Sequence, residues 1–294
     1  MLATTHDEKR KEIYALVSLI SAVFLTLAKL IAAVLTNSLA VWSEVLDSAL
    51  DVVNTSLGFG AIKISSKPPD LDHTYGHGKF ESLVAYTETI SIFIVALYIV
   101  YEAVLRIFTA HKLYFVNESI WLLSATLFAD LALVALNYRG FEKAKSQVLR
   151  ANYLNFLGDA TRTLLVMLSL VISQLISTLF DSLISLLLAF FLIREGYRLL
   201  AETTAVLLDR APEGLIREVE KLALSVKGVK EVYRVRARRV GEQVYIDLII
   251  RLDPMESLYE AHEMADAVEQ KIKEKMGNAD IVVHIEPAVF PEKL

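Results

Sequence analysis

SEVLDSALDVVNT, residues 43–55, carries Glu44, Asp47 and Asp51 at spacings of three and four. On a helix those spacings set the three carboxylates one above another along a single stripe. The flanking sequence is apolar. In a soluble helix the stripe would simply be the wet face. In a bilayer each carboxylate near the centre costs roughly 2.5–3.5 kcal/mol on insertion scales, so a stripe of three requires a protein-lined or hydrated interior.

Composition places the stripe in a membrane setting. The 294 residues are 54% hydrophobic and yet 22% charged, with a mean hydropathy of +0.45. One ordinary soluble domain does not look like this; an apolar part joined to a polar part does. Cysteine is absent, which removes disulfides and thiolate metal ligands. The net charge of −5 is spread along the chain and carries no signature of nucleic-acid binding. The opening MLATTHDEKRKE is too charged and too long for a cleaved leader, so the first apolar segment is expected to be retained.

A bilayer-spanning helix needs roughly 20 mostly apolar residues. Six stretches are read as spans: Ile13–Thr36, with Lys29 its only charge, Leu39–Ile62, Leu83–Phe108, Ile120–Leu136, Tyr153–Ser173 and Ser182–Leu200. Asn37-Ser38 is a polar break between the first two, and Asp181 is expected to cap the sixth. Lys and Arg cluster on one side: Lys9, Arg10 and Lys11, then Lys63, Lys67 and Lys79, then Arg139, Lys143, Lys145 and Arg150. Only Arg106 and Lys112 fall between spans three and four, so both termini are expected to be cytoplasmic.

Beyond Asp209-Arg210-Ala211-Pro212 the composition turns soluble. Glu213–Ser225 and Leu258–Met276 read as amphipathic helices, and Val229–Arg236, Gln243–Leu252 and Asp280–Ile285 as strands, the first two around a turn at Gly241. The fold expected is a six-helix transmembrane domain over residues 1–208, followed over 209–294 by a cytoplasmic ferredoxin-like α+β domain of order αββαβ.

Span five supplies a counterpart to the opening stripe. NYLNFLGDATRT sets Asn155 and Asp159 four apart. Asp47 and Asp51 lie roughly 12–18 Å into span two at 1.5 Å per residue, near the middle of a hydrocarbon layer about 30 Å thick, and Asn155 and Asp159 lie at comparable depth. Two helices each giving an i,i+4 pair can surround one ion with four oxygen-bearing side chains. Glu88, Asp130 and Arg162 are further costly residues within the spans, and Arg162 is expected to find a carboxylate.

SEVLDSALD in span two, KPPDLDHTYGHGKFES after it, LNFLGD in span five and LLDRAP at the membrane exit together resemble the cation diffusion facilitator family, over essentially the whole chain. The resemblance implies a homodimeric exporter, embedded in the lipid bilayer of the inner membrane, that moves a divalent cation out of the cytoplasm in exchange for protons. It implies a transport site at Asp47, Asp51, Asn155 and Asp159. Zinc exporters of the family commonly carry His where Asn155 stands. Carboxylates and an amide oxygen make a harder site, which favours Mn2+ or Fe2+, with Zn2+ the alternative. The resemblance also implies a loop metal site at Asp70, His73 and His77, and a charge interlock between Lys79 and Asp209. A cytoplasmic-domain metal site is implied at His262, His284 and Glu286, with Asp247 as a substitute ligand. Tyr233 and Ile249 stand at two positions that are histidine in zinc exporters. A membrane-anchored metal sensor is the reading from another class. No nucleophile elbow, phosphate loop or zinc-protease helix motif supports an enzyme.

Overall fold

The computed structural model describes residues 20–109, 111–144, 147–241 and 243–288. Among these described residues six long helices come first: α1 (Ile20–Thr36), α2 (Leu39–Ser65), α3 (Lys79–Phe108), α4 (Val116–Ala144), α5 (Gln147–Leu175) and α6 (Leu179–Leu207). They are followed by α7 (Leu215–Leu224), β1 (Glu231–Val240), β2 (Gln243–Leu252), α8 (Leu258–Met276) and β3 (Ala279–Pro287). The start of span one, at Ile13, and the basic residues Lys9, Arg10, Lys11 and Lys145 lie outside the described residues.

Among the described residues, α3, Val116–Arg139 of α4 and Asn152–Leu175 of α5 are long and apolar enough to cross a membrane. In α2 the carboxylate stripe interrupts the apolar run, and in α6 Asp181, Arg194, Glu195 and Arg198 do so. The helices extend beyond their apolar stretches; α3, for example, starts at Lys79 rather than Leu83. Hydrophobicity marks only what hydrocarbon would cover, whereas helical hydrogen bonding continues into polar flanks.

The chain divides into two compact units, Met1–Leu57 with Thr87–Leu199, and Gly58–Tyr86 with Leu200–Leu294. In the first, Ala32, Ala33, Ala40, Val41 and Val45 pack with Val116, Leu123, Val166, Leu170 and Leu188. A second cluster joins Ile92, Ala96 and Ile99 to Ala189 and Leu192. Small side chains let helix backbones approach closely, which is how helices gain contact where lipid removes the hydrophobic incentive. Buried hydroxyls bond their own helices: Thr36 donates to the Ala32 carbonyl at 2.7 Å and Ser43 to Leu39 at 2.8 Å. Large apolar side chains such as Phe24, Ile94, Trp121 and Phe128 point outward.

The break at Asn37-Ser38 is present, with Asn37 at φ 57°, a left-handed geometry that Asn tolerates better than most residues. Its closure corrects the expectation for Asp181. This carboxylate does not cap α6, which begins two residues earlier; it caps α2 instead. It accepts from the Ser38 hydroxyl at 2.5 Å, from the Leu39 N–H at 2.7 Å and from the Ala40 N–H at 3.3 Å, and it is fully buried. A negative group across the N-terminus of α2 satisfies orphan donors and complements the helix dipole.

In the second unit β1 and β2 are antiparallel, and β3 joins β2 in parallel through α8. The order αββαβ makes an α+β sandwich of the ferredoxin-like type. Alternation is strict on β2: Ile246, Leu248, Ile250 and Leu252 face α7 and α8, where Val219, Ala223, Ala265, Val268 and Ile272 close the core. A capping box at Ser257 and Glu260 starts α8, and Gly277, at φ 68°, ends it.

Asp181→Ala should remove three buried bonds from one helix end. The expected loss is about 1–3 kcal/mol, because the amides of Leu39 and Ala40 stay buried without an acceptor. The check is the melting temperature of the full chain in detergent, with Asp181→Asn falling between the two.

Candidate metal centre

The stripe on α2 meets α5. One carboxylate oxygen from each of Asp47, Asp51 and Asp159 lies within 4.8 Å of the other two. Arg162, one turn along α5 from Asp159, sits among them: its terminal nitrogen is 2.7 Å from Asp159 Oδ1 and its Nε 2.7 Å from Asp47 Oδ2. Asn155 occupies the same helix one turn before Asp159, with an exposed side chain. The three carboxylates are therefore grouped directly. Three oxygen donors from two helices suit a hard divalent cation.

Glu44 belongs to a different cluster. It is fully buried, and Oε1 lies 2.9 Å from Lys29 Nζ of α1 and accepts from the Thr163 hydroxyl of α5. Lys29 also reaches Asp130 of α4 at 3.8 Å and the Ser48 hydroxyl at 3.4 Å. Lys29 and Asp130 were legible in the sequence only as unexplained costs within apolar segments; each partners the other. The stripe on α2 thus serves two purposes, its first carboxylate tying α1, α4 and α5 together and its next two facing Asp159.

In the second unit the loop between α2 and α3 folds around Asp70. Its Oδ1 accepts from the backbone N–H of Asp72 at 3.0 Å and of His73 at 2.6 Å. His73 Nδ1 is 3.3 Å and His77 Nε2 3.4 Å from the two Asp70 oxygens, and the imidazole centroids are 4.4 Å apart. These three form the other grouping of potential ligands among the described residues. The His73 and Asp72 amides, with the neighbouring His77, hold the Asp70 carboxyl below its ordinary range. Gly76 takes φ 76°, and at Gly78 a Cβ would lie 2.8 Å from the Gly241 nitrogen, so the β1–β2 turn closes against this loop only because no side chain intervenes.

The same unit places Lys79 Nζ 2.8 Å from Asp209 Oδ1, with Arg238 at 3.5 Å from Oδ2. Arg238 also stacks over Tyr75, 4.2 Å from its ring centroid. Hydrogen bonding from Lys79, then its charge and that of Arg238, lowers the Asp209 carboxyl.

The four cytoplasmic-domain candidates are not drawn together within this chain. Asp247, His284 and Glu286 line one groove on the open sheet face, while His262, on α8, pairs with Asp266 at 3.6 Å. Glu286 lies 3.5 Å from Arg251, and Asp247 3.5 Å from Arg236. Arg251 also stacks over Tyr233 at 4.0 Å.

Two outcomes follow. Lys29→Met leaves Glu44 and Asp130 buried beside each other without a cation, and should destabilise the chain by about 3–5 kcal/mol; adding Glu44→Gln should recover much of that loss in thermal melts. Because the folded Asp209 carboxyl titrates below its unfolded value, its contribution is present at neutral pH and lost as pH falls. The gap in melting temperature between the native chain and Asp209→Asn should therefore close below about pH 4.

The Cation efflux transmembrane domain family matches residues 15–208, and the family described as Cation efflux protein, cytoplasmic domain, matches residues 211–288. Cation-efflux pump FieF of Yersinia enterocolitica is 29% identical over 281 residues, covering 95% of this chain and 94% of that protein. FieF of Pectobacterium atrosepticum is 27% identical over 259 residues, 87% and 86% of the two chains. Protein p34 of Rickettsia prowazekii is 24% identical over 271 residues, 92% and 90%. Among solved structures, a nickel form of MamM CTD aligns at 29% identity over 26% of this chain and all of that one, with a TM-score of 0.26. With both family domains matched along nearly its whole length, the chain belongs to the cation diffusion facilitator family of cation efflux transporters.

Proposed function

We propose that the chain exports a divalent metal cation from the cytoplasm in exchange for protons, with Mn2+ or Fe2+ favoured over Zn2+. The observation that carries this reading is the convergence of Asp47, Asp51 and Asp159 from α2 and α5 inside an apolar helical unit. The donors next to the cation are carboxylate oxygens, and Asn155 stands one turn from Asp159 where zinc exporters of the family place an imidazole. Hard oxygen donors suit manganese and ferrous iron better than a site completed by nitrogen.

In the mechanism, the helical unit crosses the bilayer six times with both termini in the cytoplasm, as the basic residues of the short loops indicate. Ionised Asp47, Asp51 and Asp159 take the cation from the cytoplasmic side. Facing outward, the same oxygens exchange it for protons, since proton and metal compete for one set of lone pairs. With no imidazole at position 155, this exchange runs through aspartates. Residues 1–208 form the transport domain. Residues 209–294 form a cytoplasmic domain that dimerises and senses metal, and Asp247, His262, His284 and Glu286 would contribute ligands once two copies meet. Asp70, His73 and His77 make a second site close to the Lys79–Asp209 interlock, so that loop metal and domain contact influence each other.

The test is cation transport by the full chain in sealed liposomes with manganese, iron and zinc in competition. Asp51→Asn and Asp159→Asn should each abolish metal-driven proton movement. Asn155→His should raise zinc transport relative to manganese by about tenfold, the scale of one good metal–ligand exchange. Retained exchange in both aspartate variants would refute the site. Metal binding without any transport by the native chain would favour the membrane-anchored sensor.

A further inference from the structure

Arg162 has no place in the mechanism above, yet it touches two of the three residues that carry it. Its guanidinium lies 2.7 Å from Asp159 Oδ1 and 2.7 Å from Asp47 Oδ2. It remains charged at any working pH, because a guanidinium does not deprotonate in proteins. An oxygen held by a guanidinium cannot also ligate a divalent cation at about 2.0–2.2 Å without setting two like charges side by side. On Asp47 Oδ2 and Asp159 Oδ1, one of the two cations has to yield.

The two contacts are not equal. Arg162 donates a hydrogen bond to Asp159, its neighbour on α5. The approach to Asp47 is as short, but Arg162 Nε and Asp47 Oδ2 are buried without a hydrogen-bond partner, so the N–H is not aimed at the oxygen. That hold is Coulombic rather than directional, and rotation of one side chain exchanges it. The guanidinium lies over Gly158, where even an added Cβ would stand 3.7 Å from its terminal nitrogen. The turn of α5 beneath it is therefore bare. Around it stand Lys29, Glu44 and Asp130 in the neighbouring cluster and, at longer range, the exposed Glu195 of α6.

We propose that Arg162 is a tethered competitor of the transported cation: guanidinium and metal take turns on Asp47 and Asp159. This inference rests on the transport site proposed above. With Arg162 engaged, the three grouped carboxylates and the guanidinium sum to a formal charge of −2, so the site is spared three uncompensated carboxylates when no metal is bound. The cation must displace the guanidinium to bind, and the returning guanidinium helps expel it. Arg162 is thus a positioning residue that weakens the hold on the metal and speeds its release.

The experiment uses the full chain in liposomes and in detergent, with manganese as the probe. Arg162→Gln should lower the manganese concentration giving half-maximal binding by about tenfold or more, and lower the maximal transport rate several-fold. Arg162→Lys should stay near native on both counts. Opposite movement of affinity and rate, restored by a second cation, is not a signature of mere structural support. Unchanged affinity and rate in Arg162→Gln would overturn the inference, as would weaker binding, which would make Arg162 a clamp for the carboxylates. Asp51→Asn separates the two readings: if it binds manganese as the native chain does, the transport site itself fails, whatever Arg162 does. If Arg162→Gln does not fold, the native chain decides. With arginine labelled by 15N, manganese should shift a guanidinium infrared band that is missing from Arg162→Lys; no shift refutes the exchange.

Discussion

A carboxylate withdrawn from water needs a partner close by, and the helical unit is arranged around that need. Ionised side chains in a low-dielectric interior pay a desolvation penalty that a close opposite charge, a bound cation or, as at Asp181, a set of converging hydrogen-bond donors offsets. Glu44 and Asp130 share Lys29, and Asp47 and Asp159 share Arg162. The two clusters lie one turn apart along α2, which explains why its stripe begins at Glu44 and continues past Asp47 to Asp51. The first is a fixed knot joining α1, α2, α4 and α5, with its cation fully buried. The second keeps some exposure and a misaligned contact, as a site that exchanges its cation would require. The helices carrying Asp47, Asp51 and Asp159 are thus held by the neighbouring knot.

The second unit solves a different problem, joining an irregular loop to a sheet. Backbone amides fold the loop around Asp70 and hold its carboxylate beside His73 and His77. The same loop sends Tyr75 beneath Arg238 of β1, and Arg238 also reaches Asp209, which Lys79 grips from the start of α3. The loop histidines and the interlock are thus joined through a tyrosine, an arginine and a pair of closely apposed glycines. A change in how Asp70, His73 and His77 are held has a short physical route to the β1–β2 turn.

How much of this was legible in the sequence depended on whether the signal was local. Strand β2 and helix α8 have the expected ends, Gln243–Leu252 and Leu258–Met276, because alternation and a capping box are written in consecutive residues. The grouping of Asp47 and Asp51 with Asp159 was readable because helical spacing fixes each pair, and the family resemblance supplied the pairing of helices. What escaped was non-local. Asp181 reads as the cap of its own helix, yet its partners lie 141 to 143 residues away at the start of α2. Lys29 reads as a lone cost in an apolar run, and its two carboxylates arrive from α2 and α4. Arg162 was expected to find a carboxylate, but only the crossing of α2 and α5 decides that it finds two.

The same logic bears on the cytoplasmic domain, where arginine again stands beside acids expected to ligate metal. Arg251 is 3.5 Å from Glu286, and Arg236 is 3.5 Å from Asp247. Exposed pairs of this kind contribute little to stability, so a metal arriving at the open sheet face would displace them at small cost. The imidazoles of His262 and His284 lie on opposite layers of the sandwich, α8 and β3, and one chain cannot bring both to the same ion without breaking the core between Val268, Ile272 and Ile281. Any site that uses both must therefore borrow one of them from a second copy. Metal at this face would then favour the paired state by mass action, since it binds an arrangement that a single chain cannot make.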